Sequence, residues 1–376
     1  MESVWRLVRR TAIVCVQRCV VSALVSYFFN RTCHHDLGGD MTMNPQLAAG
    51  MATGIGSLPH RDATAAARFS LSALSLPVLP TLPKRSPAEG IIGQAIVGIN
   101  GVSVGQYGSI AVDAILLDPA APVVTDLQHD AFGGFRSFLE HAASQGYQGP
   151  VKWQFVGPVT FGVTLVRAGV PADIAFDVAA NAVRSHLLHL HRIVRTYLPN
   201  AHQVVLLDEP VFDELLSQDF LLAPDVAIDH VSMAMSALES VASIGVHSCG
   251  MADVTSLLAT GPAILSVPVH AHLADSAGYL ARFLDDGGIV AWGIVPTQGP
   301  ITSSAERPWR ALSALWCELV QRGVDPVQLR TQSLVTPECG LGAHTPAVAD
   351  RVHRITAEVG RRVQDQAIAT RFSLGA

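Results

Sequence analysis

From residue 50 onward the chain alternates short apolar runs with longer amphipathic stretches. The apolar runs predict strands at 53–57, 151–156, 204–208, 245–248, 263–267, 289–293 and 333–336. Between them, apolar positions recurring every three or four residues predict helices over 63–74, 126–144, 172–196, 225–243, 252–260, 276–285, 305–322 and 345–363. The last opens on Thr345 as N-cap, with Pro346 at the first helical position. Repeated β–α alternation without an all-β block predicts a mainly parallel sheet. Roughly eight such units over about 320 residues predict an α/β fold, a (β/α)8 TIM barrel in a single domain over 43–376, with loops inserted around 83–125. No Gly-rich dinucleotide fingerprint follows the first strand and no P-loop is present, so the Rossmann-type alternatives lose support.

Composition narrows the function classes. The 376 residues are 49% hydrophobic and 15% charged, ample for a buried core. The net charge of −6 is spread without long charge runs, which excludes nucleic acid as an expected partner. The first 42 residues read differently from the rest. Arg9-Arg10 precede an apolar stretch that Gln17 and Arg18 interrupt, leaving no unbroken transmembrane span. The expectation is an extension outside the barrel, disordered or the product of a mis-assigned start, with translation beginning at Met41 or Met43. Cys33, His34 and His35 belong to that segment and are discounted as ligands. Six cysteines at 15, 19, 33, 249, 317 and 339 do not form a disulfide framework, so a cytoplasmic protein with no membrane association of the barrel is expected. Cys317, inside a helical pattern, reads as core packing.

The chemistry gathers at strand ends. His247-Ser248-Cys249 closes one apolar run, and Pro337-Glu338-Cys339-Gly340 closes another. Side chains two apart on a strand share a face, so His247 and Cys249 point the same way. Cys339 from a second strand end would add a third soft donor. Two thiolates and an imidazole suit Zn2+, whose catalytic sites take three protein ligands and keep one position open. His270, just past the strand at 263–267, is a candidate fourth ligand. Asp208, in Asp208-Glu209-Pro210, ends the run at 204–208 and can hold a substrate ammonium group. Ile55-Gly56-Ser57 forms a tight turn after the first strand, whose N–H groups can receive a carboxylate. Gly157-Pro158-Val159-Thr160 reads as a further strand-to-loop turn able to line the pocket. His60 reads as a loop or cap residue, and His186, His189 and His191 as helix surface or packing.

These motifs, in order over residues 50–365, resemble the C-terminal catalytic barrel of cobalamin-independent methionine synthase. Wider relatives of that barrel are the uroporphyrinogen decarboxylase-like proteins and the zinc methyltransferases that alkylate coenzyme M. The resemblance implies His247, Cys249 and Cys339 as zinc ligands. It also implies contact of Ile55, Ser57 and Asp208 with an amino-acid thiol such as homocysteine. Three family features are missing. The stretch 264–270 holds no glutamate to complete the zinc shell, and 292–298 holds no histidine for acid–base work. The tryptophan that packs on folate is replaced near Val163 or Thr164. The folate-binding N-terminal half of the family is absent as well. The expected function is therefore zinc-dependent methyl transfer to a small-molecule thiol. Its donor would be a methyl-folate or, better matched to the missing features, a methyl-corrinoid protein. The alternatives are a zinc- or thiol-binding paralogue without turnover, and a metal-free decarboxylase-like barrel binding a tetrapyrrole.

Overall fold

Parallel strands covered on both faces must be buried along their whole length. That is the state of Val151–Val156, Gln203–Asp208, Ile264–Pro268 and Ser333–Pro337, in which every residue is buried. The structure is a computed structural model that describes residues 47–105 and 108–373. The N-terminal extension through residue 42, with Cys33, His34 and His35, lies outside the described residues.

In chain order the strands are β1 (Met51–Ala52), β2 (Val102–Val104), β3 (Ile110–Val112), β4 (Val151–Val156), β5 (Gln203–Asp208), β6 (Ser243–His247), β7 (Ile264–Pro268), β8 (Ile289–Val295) and β9 (Ser333–Pro337). Seven of them form one sheet in the order β1-β9-β8-β7-β6-β5-β4, with all neighbours parallel. The pair β2–β3 is a separate antiparallel hairpin inside the region expected to be inserted loop. Among the described residues the fold is thus α/β with seven registered parallel strands of the TIM-like kind, and closure to eight is not formed by a registered strand. Segment 76–81 makes only single parallel bridges, Leu76 to Thr53, Thr81 to Ser57 and Val78 to Lys152. Pro77 and Pro80 explain why: each lacks the N–H that a continuous ladder needs. Its bonds are nonetheless well formed, with the Leu76 N–H donating to the Ala52 carbonyl at 3.0 Å and the Leu79 N–H to the Lys152 carbonyl at 2.8 Å. β1 lies just before the expected 53–57, of which only Thr53 and Ser57 make isolated bridges, and the chain turns at Gly56, where φ is +151°.

The helices follow the 3.6-residue pattern, with shifted ends. The helix over Pro346–Ser373 starts where expected, the Thr345 hydroxyl accepting the Val348 N–H at 3.4 Å. The one expected over 225–243 stops at Met235, and the one expected from 126 begins at Gly133. Gly157-Pro158-Val159-Thr160 does not run on into a pocket loop: it starts a helix, Pro158–Arg167. Seven of its ten residues are buried, so it has little polar face to give a helical period. Cys317 is exposed, not core. Trp316, Leu312 and Leu319 take the buried side of its helix, and one residue further round points outward.

Two clusters divide the core by strand alternation. Val204, Leu206, Ile264, Ala291 and Leu334 pack on the inner face, while Val205, Leu207, Val246, Leu265, Val290 and Val335 pack against the helices. The same alternation sends Lys152, Gln154, Asp208, His247 and Ser266 to the inner face.

Candidate functional site

At the C-terminal ends of the strands lies a cavity of about 300 Å³, and the residues picked out by sequence converge on it. Ile55, Gly56, Ser57, Asp208, His247, Cys249 and Cys339 all line it. Adjacent strands explain the meeting of Asp208 and His247, which are register partners between β5 and β6. Cys249 arrives on the loop after β6 and Cys339 on the loop after β9. His270 is elsewhere: it lines a second cavity of about 370 Å³ with Asp213 and His272, and its Nδ1 is buried without a partner. The chain turns outward after Pro268 and carries His270 away from the three donors.

Cys249 and Cys339 hydrogen-bond each other. The bond from Cys249 holds the Cys339 thiol below its ordinary value, and the same bond together with burial drives Cys249 up. Burial lowers His247 to about 3, so its ring is neutral around pH 7. Its Nδ1 lies 2.9 Å from Ser266 Oγ, while Nε2 is buried with no partner. An imidazole fixed through one nitrogen and unpaired at the other is the arrangement of a metal-ligating histidine oriented from behind. Among the described residues no group of three or more His, Cys, Asp or Glu side chains is drawn close enough to enclose a metal ion. The chemistry of the donor set, two thiols and an unpaired imidazole nitrogen lining one cavity, fits zinc. Asp213, on the turn Pro210–Glu214, braces this wall from outside by accepting from Ser248 Oγ at 3.2 Å. A Cβ on Gly250 would collide with the Asp213 carboxylate.

Asp208 and Glu209 have opposite tasks. Asp208 faces the cavity, and its Oδ1 accepts from the Gln154 side-chain amide. Burial pushes its carboxyl up, against the pull of the Lys152 charge. Glu209 turns the other way and caps the helix Pro158–Arg167. Its Oε1 takes the Val159 N–H at 3.0 Å, and its Oε2 takes the Thr160 N–H at 2.7 Å and the Thr160 hydroxyl at 2.5 Å. The Asp-Glu-Pro and Gly-Pro-Val-Thr motifs therefore interlock, and no Cβ would fit at Gly157 beside Glu209. On the opposite wall the Ser57 carbonyl accepts the Leu341 N–H at 2.9 Å and its hydroxyl the Gly342 N–H at 3.3 Å, tying the turn to the Cys339 loop.

Three inner-face residues escaped the sequence reading: Lys152, Gln154 and Ser266. The available signal was polar side chains at alternate positions of otherwise apolar strands. His186 is buried packing as expected, 2.7 Å from Thr125 Oγ1 and 3.1 Å from the Ala95 carbonyl. His60 packs its ring on Phe69, with centroids 5.1 Å apart. No helix among the described residues is long and apolar enough to cross a membrane.

No protein-family model and no curated protein matches this chain. Solved structures do. The "Putative Vitamin-B12 Independent Methionine Synthase from Listeria monocytogenes" is similar with a TM-score of 0.50 at 15% identity, covering 85% of this chain and 98% of that one. A methyltransferase from Methanosarcina mazei is similar with a TM-score of 0.49 at 19% identity, covering 84% of this chain and 93% of that one. At 15% identity the first likeness concerns the fold alone, an α/β sheet of the TIM-like kind.

Proposed function

We propose that this chain is a zinc-dependent methyltransferase, with a barrel of the vitamin-B12-independent methionine synthase type, that methylates a small amino-acid thiol, homocysteine, in the cytoplasm. Segment 76–81 would complete the eighth place of its barrel. The observation that carries the reading is the meeting of His247, Cys249 and Cys339 with Asp208 and the Ile55-Gly56-Ser57 turn around one cavity. Soft donors and groups for both ends of an amino acid line the same cavity. A cavity of about 300 Å³ lies at the small end of ligand pockets and suits an amino acid better than a tetrapyrrole. It has no arginine in its lining, which counts against the decarboxylase-like alternative.

In this reading His247, through Nε2, and the Cys249 and Cys339 sulfurs would hold zinc, which would supply Lewis acidity to lower the pKa of a substrate thiol toward neutral. Ser266 orients His247 from behind, and Asp213 steadies the Ser248–Gly250 loop. Asp208 receives the substrate ammonium group, and the Ile55–Ser57 turn receives its carboxylate. The substrate sulfur then bonds to the methyl carbon while the electron pair of the breaking bond leaves with the donor. Residues 292–298 offer no histidine to protonate a leaving nitrogen. A methyl-corrinoid donor, which would lie over the barrel mouth and depart as reduced cobalt without needing a proton, is therefore better matched to the missing histidine than methyl-tetrahydrofolate.

The test is methionine formation by the zinc-loaded protein from homocysteine, with methylcobalamin or methyl-tetrahydrofolate as donor. Turnover with methylcobalamin exceeding that with the folate is expected. No methionine from either donor would count against the activity.

A further inference from the structure

The mechanism above leaves a fully buried lysine unused. Lys152 sits on β4 with its side chain on the inner face, 1% exposed. An ammonium group has three protons to place, and burial is costly unless each finds an acceptor. All three do: the Gly54 carbonyl at 2.8 Å, the Ile55 carbonyl at 3.1 Å and the side-chain oxygen of Gln154. Gln154 passes the interaction on, its amide NH2 donating to Asp208 Oδ1. The orientation of that amide is forced, because a flipped Gln154 would set NH2 against ammonium and oxygen against carboxylate.

The two backbone contacts matter as much. Successive carbonyls of an extended chain normally point to opposite sides, yet those of Gly54 and Ile55 both converge on one nitrogen. Since a trans peptide opposes its C=O and N–H, the N–H groups of Ile55 and Gly56 face away from Lys152. Adjacent N–H groups turned the same way make a small anion cradle. Ile55 and Gly56 line the cavity, as does Asp208.

Building on the function proposed above, we propose that Lys152 and Gln154 are positioning residues that set both ends of an amino-acid clamp. Lys152 shapes the carboxylate cradle at Ile55–Gly56. Through Gln154 it also keeps Asp208 aimed as the acceptor for the substrate α-ammonium. The chain thereby selects zwitterionic amino thiols over thiols that lack the amino group.

The test uses the zinc-loaded full chain and calorimetric titration with two probes, homocysteine and 4-mercaptobutanoate, which has the same thiol and carboxylate but no amine. Wild type should prefer homocysteine by on the order of 10- to 100-fold, the worth of one hydrogen-bonded charge contact. Gln154→Met, close in size and unable to bridge, should reduce that preference to about threefold or less, with the loss falling mainly on homocysteine. Lys152→Met should weaken both probes. If Lys152→Met does not fold, the Gln154→Met comparison decides alone. Wild type that binds neither probe overturns the proposed function and this inference together. Wild type that prefers homocysteine, with Gln154→Met keeping the same preference or losing both probes equally, overturns the inference alone.

Discussion

Glu209 offers a test of how the two loop motifs are locked. Its carboxyl group is fully buried and accepts three hydrogen bonds at the start of the helix Pro158–Arg167. Burial nevertheless outweighs those bonds and raises it from the ordinary 4.5 to about 7. Between these values the folded chain keeps a proton that the unfolded chain has released. Unfolding then frees a proton, so stability falls as pH rises through this window. About 2.5 units of displacement correspond to about 3 kcal/mol. Glu209→Gln has no such titration. It loses one good acceptor, at a constant cost of about 1–3 kcal/mol from a donor left unpaired. Urea unfolding of both proteins from pH 5 to pH 8 should show the wild-type advantage shrinking by up to about 3 kcal/mol. An advantage constant across that range would mean that buried Glu209 does not hold its proton to about pH 7.

Other consequences are more local. Ser266→Ala removes the partner of His247 Nδ1 and should weaken zinc binding about 10- to 100-fold in chelator competition, whereas unchanged affinity would argue against ligation through Nε2. Gly245→Ala places a methyl group against the Ile264 backbone carbonyl between β6 and β7, and should lower unfolding stability by about 3 kcal/mol in urea titration. Asp213→Ala frees Ser248 and should also weaken zinc, and Asp213→Asn, which retains an acceptor oxygen, should restore most of the loss.

Much of the fold was legible because fully buried parallel strands leave apolar runs, and β4 lies on the residues its sequence marks. Where the pattern failed, a physical reason is visible. Two prolines break the ladder in 76–81, and the helix after Gly157 is too apolar to show a period. At the site, His247, Cys249 and Cys339 stood out because rare residue types sit at strand ends. Lys152, Gln154 and Ser266 did not, because a single polar side chain within an apolar strand is ambiguous until the inner face is known. His270 looked equally eligible in sequence, but its loop leads to the neighbouring cavity. Glu209 was overshadowed by Asp208, and only the fold shows that the two adjacent acids serve opposite sides of the strand end.

Whether His247, Cys249 and Cys339 form a zinc site is decided by the metal content of the purified protein, measured beside Cys249→Ser and Cys339→Ser. About one zinc per chain is expected in wild type, lost in either variant whose fold is preserved by circular dichroism. Wild-type protein that takes up no zinc, or variants that keep it fully, would rule the zinc site out.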